Sequence, residues 1–278
     1  MSRGRRAGVL GFPVSHSLSP LLHRSAYAAL GLEWEYESVE VRAGGLAHFL
    51  EGIDDSWVGL SLTMPLKGEA ARAVDFLEPL AKALGAANTI LFQSSAAGGH
   101  RVGANTDVPG IVAALREAGV ESVRSAVILG AGATATAAMA ALATLGCSAP
   151  AVALRDRSRA GALLVAASRL GVEPRLTDIS DPLRELAVAE VVVSTVPSDA
   201  GANVGRALRE ASVGGTLLDA VYDPVETPLL RAWADAGGTP IDGTRMLLHQ
   251  AAEQVRLFTG QAPPLAEMDS ALLSHLSH

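Results

Sequence analysis

The sequence predicts an α/β protein built on parallel sheets, and two observations carry that prediction. Short β-rich apolar runs alternate with longer helical stretches along the 278 residues, the pattern of strands joined by helical crossovers. One such run, Ala126-Val127-Ile128-Leu129, passes directly into the loop Gly130-Ala131-Gly132-Ala133-Thr134-Ala135 and an alanine-rich helix, as in a nucleotide-binding βαβ unit. The length suits two domains or one large α/β domain.

The elements follow in order. Ala7 to Gly11 is a strand, and Ser19-Pro20 supplies an N-cap and a first-turn proline for a helix ending near Gly31. Glu33 to Val41 alternates as a strand, and a helix over Leu46 to Glu51 leads to the strand Trp57 to Leu62. Pro65 opens another helical stretch, Asn88 to Phe92 forms a strand, and Asp107 begins a helix as a first-turn acid. Ser125 to Leu154 contains no charged residue, a length that hydropathy alone would assign to a membrane span. Its punctuation argues otherwise: glycines follow the first strand, the helix stops at Gly146, and Pro150 precedes the strand Ala151 to Leu154. A helix over Arg159 to Leu170, strands at Val191 to Ser194 and Gly215 to Asp219, and a helix over Thr227 to Ala236 continue the alternation. Helical regions over Met246 to Phe258 and Leu265 to Leu276 close the chain, with no internal repeat and no low-complexity linker.

Composition narrows the function. Apolar residues make up 49% and charged residues 18%, which excludes intrinsic disorder. A formal charge of −7 and a pI near 5.5 argue against nucleic acid or an acidic membrane as partner. The largest basic cluster, Arg3, Arg5 and Arg6, precedes an apolar run too short for an export signal. Cys147 is the only cysteine, so an internal disulfide and a zinc site of cysteine pairs are both excluded. A cytoplasmic enzyme acting on a small molecule, as monomer or homodimer, is expected.

The glycine-rich loop is the first chemical signal. Gly130 permits the tight turn out of the strand, and Gly132 lets backbone approach a pyrophosphate at a helix N-terminus. After the next strand comes Arg155-Asp156-Arg157-Ser158-Arg159, where an acid would favour a ribose 2′-hydroxyl and arginines a 2′-phosphate. Arg155 and Arg159 point to NADP, with Asp156 leaving NAD open. Neighbouring side chains at a strand end face opposite sides, so Arg155 is expected inward and Asp156 outward. Three polar islands lie upstream: Ser15 to Pro20, Thr63 to Lys67, and Asn105 to Asp107. Ser15 and Ser17 alternate, so in an extended stretch both hydroxyls would converge on a carboxylate; Ser19 is the N-cap. Lys67 follows a strand end, where α/β sheets place ligands.

Taken together these segments resemble the shikimate dehydrogenase family over nearly the whole chain. The resemblance rests on Ser15-His16-Ser17-Leu18-Ser19-Pro20, Thr63-Met64-Pro65-Leu66-Lys67, Ala87-Asn88-Thr89, and Asn105-Thr106-Asp107 with Gly110. It continues through the glycine loop, Asp219-Ala220-Val221-Tyr222-Asp223-Pro224 with Thr227-Pro228-Leu229-Leu230, and Asp242-Gly243 with Met246-Leu247 and Gln250. It implies a substrate domain over 1–105, completed by 240–278, and a Rossmann-like NADP domain over 106–239. It also implies reversible, NADP-dependent reduction of 3-dehydroshikimate to shikimate, in the biosynthesis of chorismate and the aromatic amino acids. Residue by residue, it makes Lys67 and Asp107 the catalytic pair, Ser15 and Ser17 the carboxylate ligands, and Thr63, Asn88, Asp107, Tyr222 and Gln250 further substrate contacts. Gly130, Ala131, Gly132, Ala133, Thr134, Arg155 and Arg159 would hold the adenosine phosphates, with Ala220 and Gly243 near the nicotinamide.

The implied chemistry is self-consistent. Reduction of a ketone builds negative charge on its oxygen, which a lysine ammonium stabilises and protonates while a carboxylate orients it; no metal is required or expected. The chain departs from the family pattern at Ser61, often asparagine, at Ala133, at Arg155-Asp156, and at Arg245, commonly glycine. Three other readings compete: an NAD-dependent quinate/shikimate dehydrogenase, an S-adenosylmethionine-dependent methyltransferase, in which Lys67 and Asp107 would have no role, and a catalytically silent binding paralogue.

Overall fold

The computed structural model of the protein describes residues 4–93 and 99–277; Arg3 of the N-terminal basic cluster lies outside them. The chain forms two compact units, Met1–Thr106 with Leu248–His278, and Asp107–Leu247.

The first unit contains β1 (Arg6–Gly11), α1 (Ser19–Ala29), β2 (Glu35–Glu40), α2 (Leu46–Glu51), β3 (Trp57–Leu62), α3 (Lys67–Ala73), β4 (Phe76–Leu77), α4 (Pro79–Leu84), β5 (Thr89–Gln93) and β6 (His100–Ala104). They make one six-stranded sheet in the order β2-β1-β3-β5-β6-β4. Every residue of β3 is buried, the mark of a central strand covered on both faces. Leu10, Leu60, Leu62, Leu66 and Ile90 pack with Leu46 and Leu50 of α2 into one core. The expectation of purely parallel sheets fails here, because β5 runs antiparallel to both β3 and β6. Only a few residues link β5 to β6, and so short a link permits a hairpin but not a crossover.

The second unit contains α5 (Asp107–Glu117), β7 (Ala126–Leu129), α6 (Ala133–Thr144), β8 (Ala151–Leu154), α7 (Gly161–Leu170), β9 (Arg175–Asp178), α8 (Leu183–Leu186), β10 (Val191–Ser194), α9 (Ser198–Ala207), β11 (Thr216–Asp219), α10 (Pro228–Asp235) and β12 (Thr239–Ile241). Its sheet, β12-β11-β10-β7-β8-β9, is parallel throughout. The uncharged stretch is a buried βαβ unit: β7 and β8 are fully buried, and α6 buries a continuous run from Ala135 to Leu142. A helix apolar all round belongs inside a protein or a bilayer. Among the described residues no helix is long and apolar enough to cross a membrane.

Two helices end the chain, α11 (Gly243–Thr259) and α12 (Leu265–Leu276). The return to the first unit comes at Leu248 rather than at the expected 240, because Thr239–Ile241 pairs with β11 as the last strand of the second sheet. β9 and β12 escape a pattern search: Arg175–Asp178 carries charge at both ends and Thr239–Ile241 contains Pro240, as edge strands do.

Trp233 anchors this edge. It is fully buried, and its indole Nε1 donates to the Gly215 carbonyl at 3.0 Å, which also accepts the Thr239 amide at 3.0 Å. Trp233→Ala removes the largest fully buried side chain among the described residues and leaves one lone pair of that carbonyl unpaired. It is expected to cost roughly 3–5 kcal/mol, read as a lowered urea midpoint; an unchanged midpoint would contradict this account of the core.

Candidate active site

Strand direction decides which residues gather. β1 and β3 are parallel, so the loops leaving them, 12–18 and 63–66, emerge at one sheet edge. β5 opposes β3, pairing Thr89 with Ser61, so its first residues lie at that edge too. β6 opposes β5 and ends there, with Ala104 across from Thr89. Backbone bonds join the segments: Phe12 N–H to Met64 O at 3.0 Å, Leu62 N–H to Asn88 O at 2.7 Å, and Ala87 N–H to Lys67 O at 3.0 Å. Residues from four distant stretches thus converge, among them Thr63, Lys67, Asn88 and Thr106.

Asn88 is the centre of the cluster and is buried. Its Oδ1 accepts the Thr106 amide at 2.7 Å and the Thr89 hydroxyl at 3.0 Å. Its Nδ2 donates to Thr106 Oγ1 at 2.9 Å and reaches Gln250 Oε1 of α11 at 3.4 Å. Asn105 Nδ2 donates to Ala86 O at 3.1 Å, fixing the adjoining turn. Asp107, the next residue after Thr106, is buried and begins α5 in the second unit.

Lys67 is half-buried and is the first residue of α3. A cation there opposes the helix dipole, which favours acids in the first turn and bases in the last. Local stability does not explain the residue, and such exceptions concentrate at functional positions. Ser15 is exposed and Ser17 half-buried. The stretch is not extended as expected. Ser17 N–H donates to Val14 O at 3.0 Å, closing a turn, so simple alternation does not direct both hydroxyls. Nor is Ser19 the N-cap: it is the first residue of α1, after Leu18, and its amide donates to Ser17 Oγ at 3.3 Å.

Beneath the cluster lies a buried polar layer of which the sequence reading singled out only Ser61. Tyr36 donates to Ser61 Oγ at 2.7 Å, and Ser61 donates to Gln254 Oε1 at 2.8 Å. Ser61 therefore spends its one proton inside the protein, where the family pattern often has an asparagine. His23 stacks on Tyr36 with ring centroids 4.0 Å apart. Its Nε2 lies 3.3 Å from Gln254 Oε1 and its Nδ1 3.3 Å from the Tyr27 hydroxyl. An amide oxygen only accepts, so Nε2 carries the proton and Nδ1 accepts from Tyr27. Burial outweighs the Gln254 hydrogen bond and holds the His23 imidazole down at about 3. Burial likewise raises the Tyr36 phenol. The signal for this layer was present as i, i+4 pairs, His23 with Tyr27 and Gln250 with Gln254, each on one helical face.

The second unit carries the glycine loop at the C-terminal end of β7. Gly130 has φ +107°, and a Cβ there would lie 2.7 Å from Thr195 Oγ1, so glycine is required by the protein itself. Thr195, not anticipated from sequence, is fixed by its amide and hydroxyl, both donated to Leu129 O at 2.9 Å. Gly132 differs: φ −82° and ψ −171° suit any residue, and a Cβ would meet nothing within 4 Å. Nothing in the fold explains that glycine, whereas close approach of a pyrophosphate to the first turn of α6 would. Ala131 and Thr134 are half-buried and Ala133 exposed, beside the same turn.

Arg155, Asp156 and Arg159 are exposed beyond β8. The Asp156 carboxylate caps the 3-10 turn Arg157–Ala160, accepting the Ser158 amide at 2.9 Å and hydroxyl at 2.7 Å. Those bonds hold it below the usual carboxylate range. The loop after β11 carries Ala220 and Tyr222, both half-buried. Asp219 pins it by accepting the Thr227 hydroxyl at 2.7 Å. Burial pushes the Asp219 carboxyl up despite that bond. Gly243 closes on this loop, since a Cβ would come 2.6 Å from Val221 O. Arg245 forms a bidentate pair with Glu117 at 3.0 and 2.5 Å, which gives that departure a structural partner. Of the expected substrate residues, Thr63, Asn88 and Gln250 belong to the first unit with Lys67, while Asp107 and Tyr222 belong to the second. Among the described residues no group of three or more His, Cys, Asp or Glu is placed to hold a metal ion.

These features define a class: an α/β oxidoreductase that pairs a parallel dinucleotide-binding unit with a mixed-sheet unit presenting a polar, lysine-bearing edge. The family model of the shikimate dehydrogenase substrate binding domain matches residues 9–90, and that of the shikimate 5′-dehydrogenase C-terminal domain matches residues 243–273. The shikimate dehydrogenase (NADP(+)) of Natronomonas pharaonis is 40% identical over 97% of this chain and 98% of its own. The crystal structure of Mycobacterium tuberculosis shikimate dehydrogenase superposes with a TM-score of 0.85 at 40% identity, covering 98% of this chain and 99% of that one. The Thermus thermophilus enzyme in complex with NADP(H) and shikimate gives 0.79 at 30% identity, over 97% and 99%. The chain belongs to the shikimate dehydrogenase family.

The buried histidine makes stability depend on pH. His23 is neutral in the folded protein well below the ordinary value of 6.5, so between about 6.5 and 3 the unfolded chain binds the extra proton. Stability is therefore lost as pH falls through that window. At pH 5 the loss from this residue amounts to about 2 kcal/mol relative to pH 8. Urea midpoints at pH 7.5 and 5.0 should fall more steeply for the wild type than for His23→Gln; equal slopes would show that His23 titrates normally.

Proposed function

We propose that this chain is an NADP-dependent shikimate dehydrogenase, reversibly reducing 3-dehydroshikimate to shikimate for aromatic amino-acid biosynthesis. The observation that carries the reading is the convergence of Thr63, Lys67, Asn88, Thr106 and Gln250 on one edge of the first sheet. Those are the residue types and motifs of a family whose Thermus member is solved with NADP(H) and shikimate. The first unit is the substrate domain. Ser15 and Ser17 hold the substrate carboxylate through hydroxyls that add no charge, and Thr63, Asn88 and Gln250 hold its ring hydroxyls; the resemblance to the family adds Tyr222 as a further substrate contact.

Lys67 is the general acid. Its ammonium stabilises the charge that develops on the carbonyl oxygen and transfers a proton to it; in the reverse direction the neutral amine takes that proton back. Asp107 accepts a substrate hydroxyl and orients the lysine, and burial of that carboxylate excludes competing water. NADPH, when bound, supplies the hydride.

The second unit is the NADP domain. Gly130 and Gly132 bring the amides of Ala131, Ala133 and Thr134 to the pyrophosphate. Arg155 and Arg159 meet the 2′-phosphate, where guanidinium groups bind bidentately. The Asp156 carboxylate is committed to Ser158, which lessens its repulsion of that phosphate. Ala220 and Gly243 border the nicotinamide.

Turnover tests this directly. Purified protein assayed with shikimate and quinate, each with NADP and NAD, should turn over shikimate with NADP fastest; faster quinate oxidation with NAD would favour the quinate/shikimate alternative. Lys67→Ala should lower kcat by roughly two to four decades with a much smaller change in KM. Near-wild-type kcat in that variant would remove the lysine from the mechanism. Arg155→Ala should raise KM for NADP and leave KM for NAD unchanged, since NAD has no phosphate there to lose; equal effects on both would assign Arg155 a structural role.

A further inference from the structure

Gln254 and Thr89 are not among the residues read as touching substrate, yet the Gln254 Nε2 and the Thr89 hydroxyl are both committed toward Asn88. Gln254 is buried and all four of its amide valences are engaged. Oε1 accepts from Ser61 at 2.8 Å and from His23 at 3.3 Å. Nε2 donates to Thr89 Oγ1 at 3.0 Å and to Asn88 O at 3.3 Å. The Asn88 carbonyl can only accept, so the amide cannot be turned the other way. Thr89 is fully buried. Its hydroxyl accepts from Gln254 and has one proton to give, which goes to Asn88 Oδ1 at 3.0 Å.

The direction of each bond is thus dictated by the one before it, from Gln254 through Thr89 to Asn88. The end of the relay matters chemically. With Oδ1 saturated by Thr89 and by the Thr106 amide, the Asn88 NH2 is held toward Thr106 Oγ1 and Gln250. An asparagine amide free to turn over would present donor and acceptor interchangeably and discriminate poorly between them.

We propose that Thr89 and Gln254 are positioning residues that fix the orientation of the Asn88 amide within the candidate site, so that substrate affinity depends on a buried hydroxyl the substrate never touches. The inference rests on the reading of Asn88 as a shikimate contact. It assigns the buried layer a role in specificity as well as in stability. Breaking the relay at Thr89 leaves the lysine, the aspartate and the nucleotide loop untouched.

Shikimate and NADP should be titrated separately by calorimetry onto full-length wild type, Thr89→Val, Thr89→Ser, Gln254→Leu and the Thr89→Val, Gln254→Leu double variant, with kcat and KM measured alongside. Thr89→Val keeps the shape but not the proton, and should weaken shikimate by about three- to tenfold and raise its KM similarly, with NADP affinity unchanged. Thr89→Ser, which retains the hydroxyl, should restore wild-type affinity. The double variant should be no weaker than the worse single, because both break one relay. Should Thr89→Val not fold, Thr89→Ala read against Thr89→Ser makes the same comparison. Wild-type shikimate affinity in a folded Thr89→Val, or equal losses for shikimate and NADP, would overturn the relay. A wild type that turns over another substrate and binds no shikimate would overturn the functional reading, and the relay's role with it.

Discussion

Antiparallel pairing of β5 beside β3 is the constraint on which the candidate site depends. Had β5 run parallel to its neighbour, Asn88 would lie at the opposite edge of the sheet from Thr63 and Lys67. The reversal also returns β6 to the same edge, so that Asn105 and Thr106 arrive beside Asn88 and the chain leaves the sheet at Asp107. A single change of strand direction thereby collects residues from segments whose sequence positions give no hint of proximity. The backbone bonds Leu62 to Asn88 and Ala87 to Lys67 then hold the collected segments in register.

A polar edge of this kind is expensive unless each buried group finds a partner. Tyr36, Ser61, Gln254, Thr89 and Asn88 satisfy one another in a chain with a defined direction. His23 joins it in neutral form because burial holds the ring's proton affinity down. A charged histidine there would find no carboxylate among its described partners and would demand hydration the core cannot supply. The same layer accounts for Ser61, whose hydroxyl is consumed in bridging Tyr36 to Gln254.

The second unit separates glycines that the fold itself requires from one that it does not. Gly130 and Gly243 are dictated by backbone conformation and close approach within the fold. Gly132 is dictated by neither, and its position at the start of α6 matches the needs of a bound phosphate. Asp156 also changes meaning. An acid after the second strand of a dinucleotide unit ordinarily argues for a ribose hydroxyl, but here its oxygen is taken by the Ser158 amide and hydroxyl, a local cap that sequence position alone does not reveal.

Much of the architecture was legible because hydrophobic period and turn chemistry are local. Trp57–Leu62, Ala126–Leu129, Ala151–Leu154 and Val191–Ser194 form strands where apolar runs predict them, and glycines and prolines mark where the chain turns. The motif around Lys67 was equally legible, since its residue types follow one another along the chain. Strand direction was not, because parallel and antiparallel neighbours bury the same side chains and differ only in which ends meet. Short edge strands such as Thr239–Ile241 escaped for a related reason: half-exposed, they carry too little hydrophobic pattern to be distinguished from loop. Partnership inside the core belongs wholly to the tertiary structure. Gln254 and Gln250 stand one turn apart on a helix, but only the pairing of β3 with β5 decides that one amide meets Ser61 and Thr89 and the other meets Asn88. A hydrogen bond depends on distances of tenths of an ångström between residues far apart in sequence, and those distances exist only once the sheet has formed.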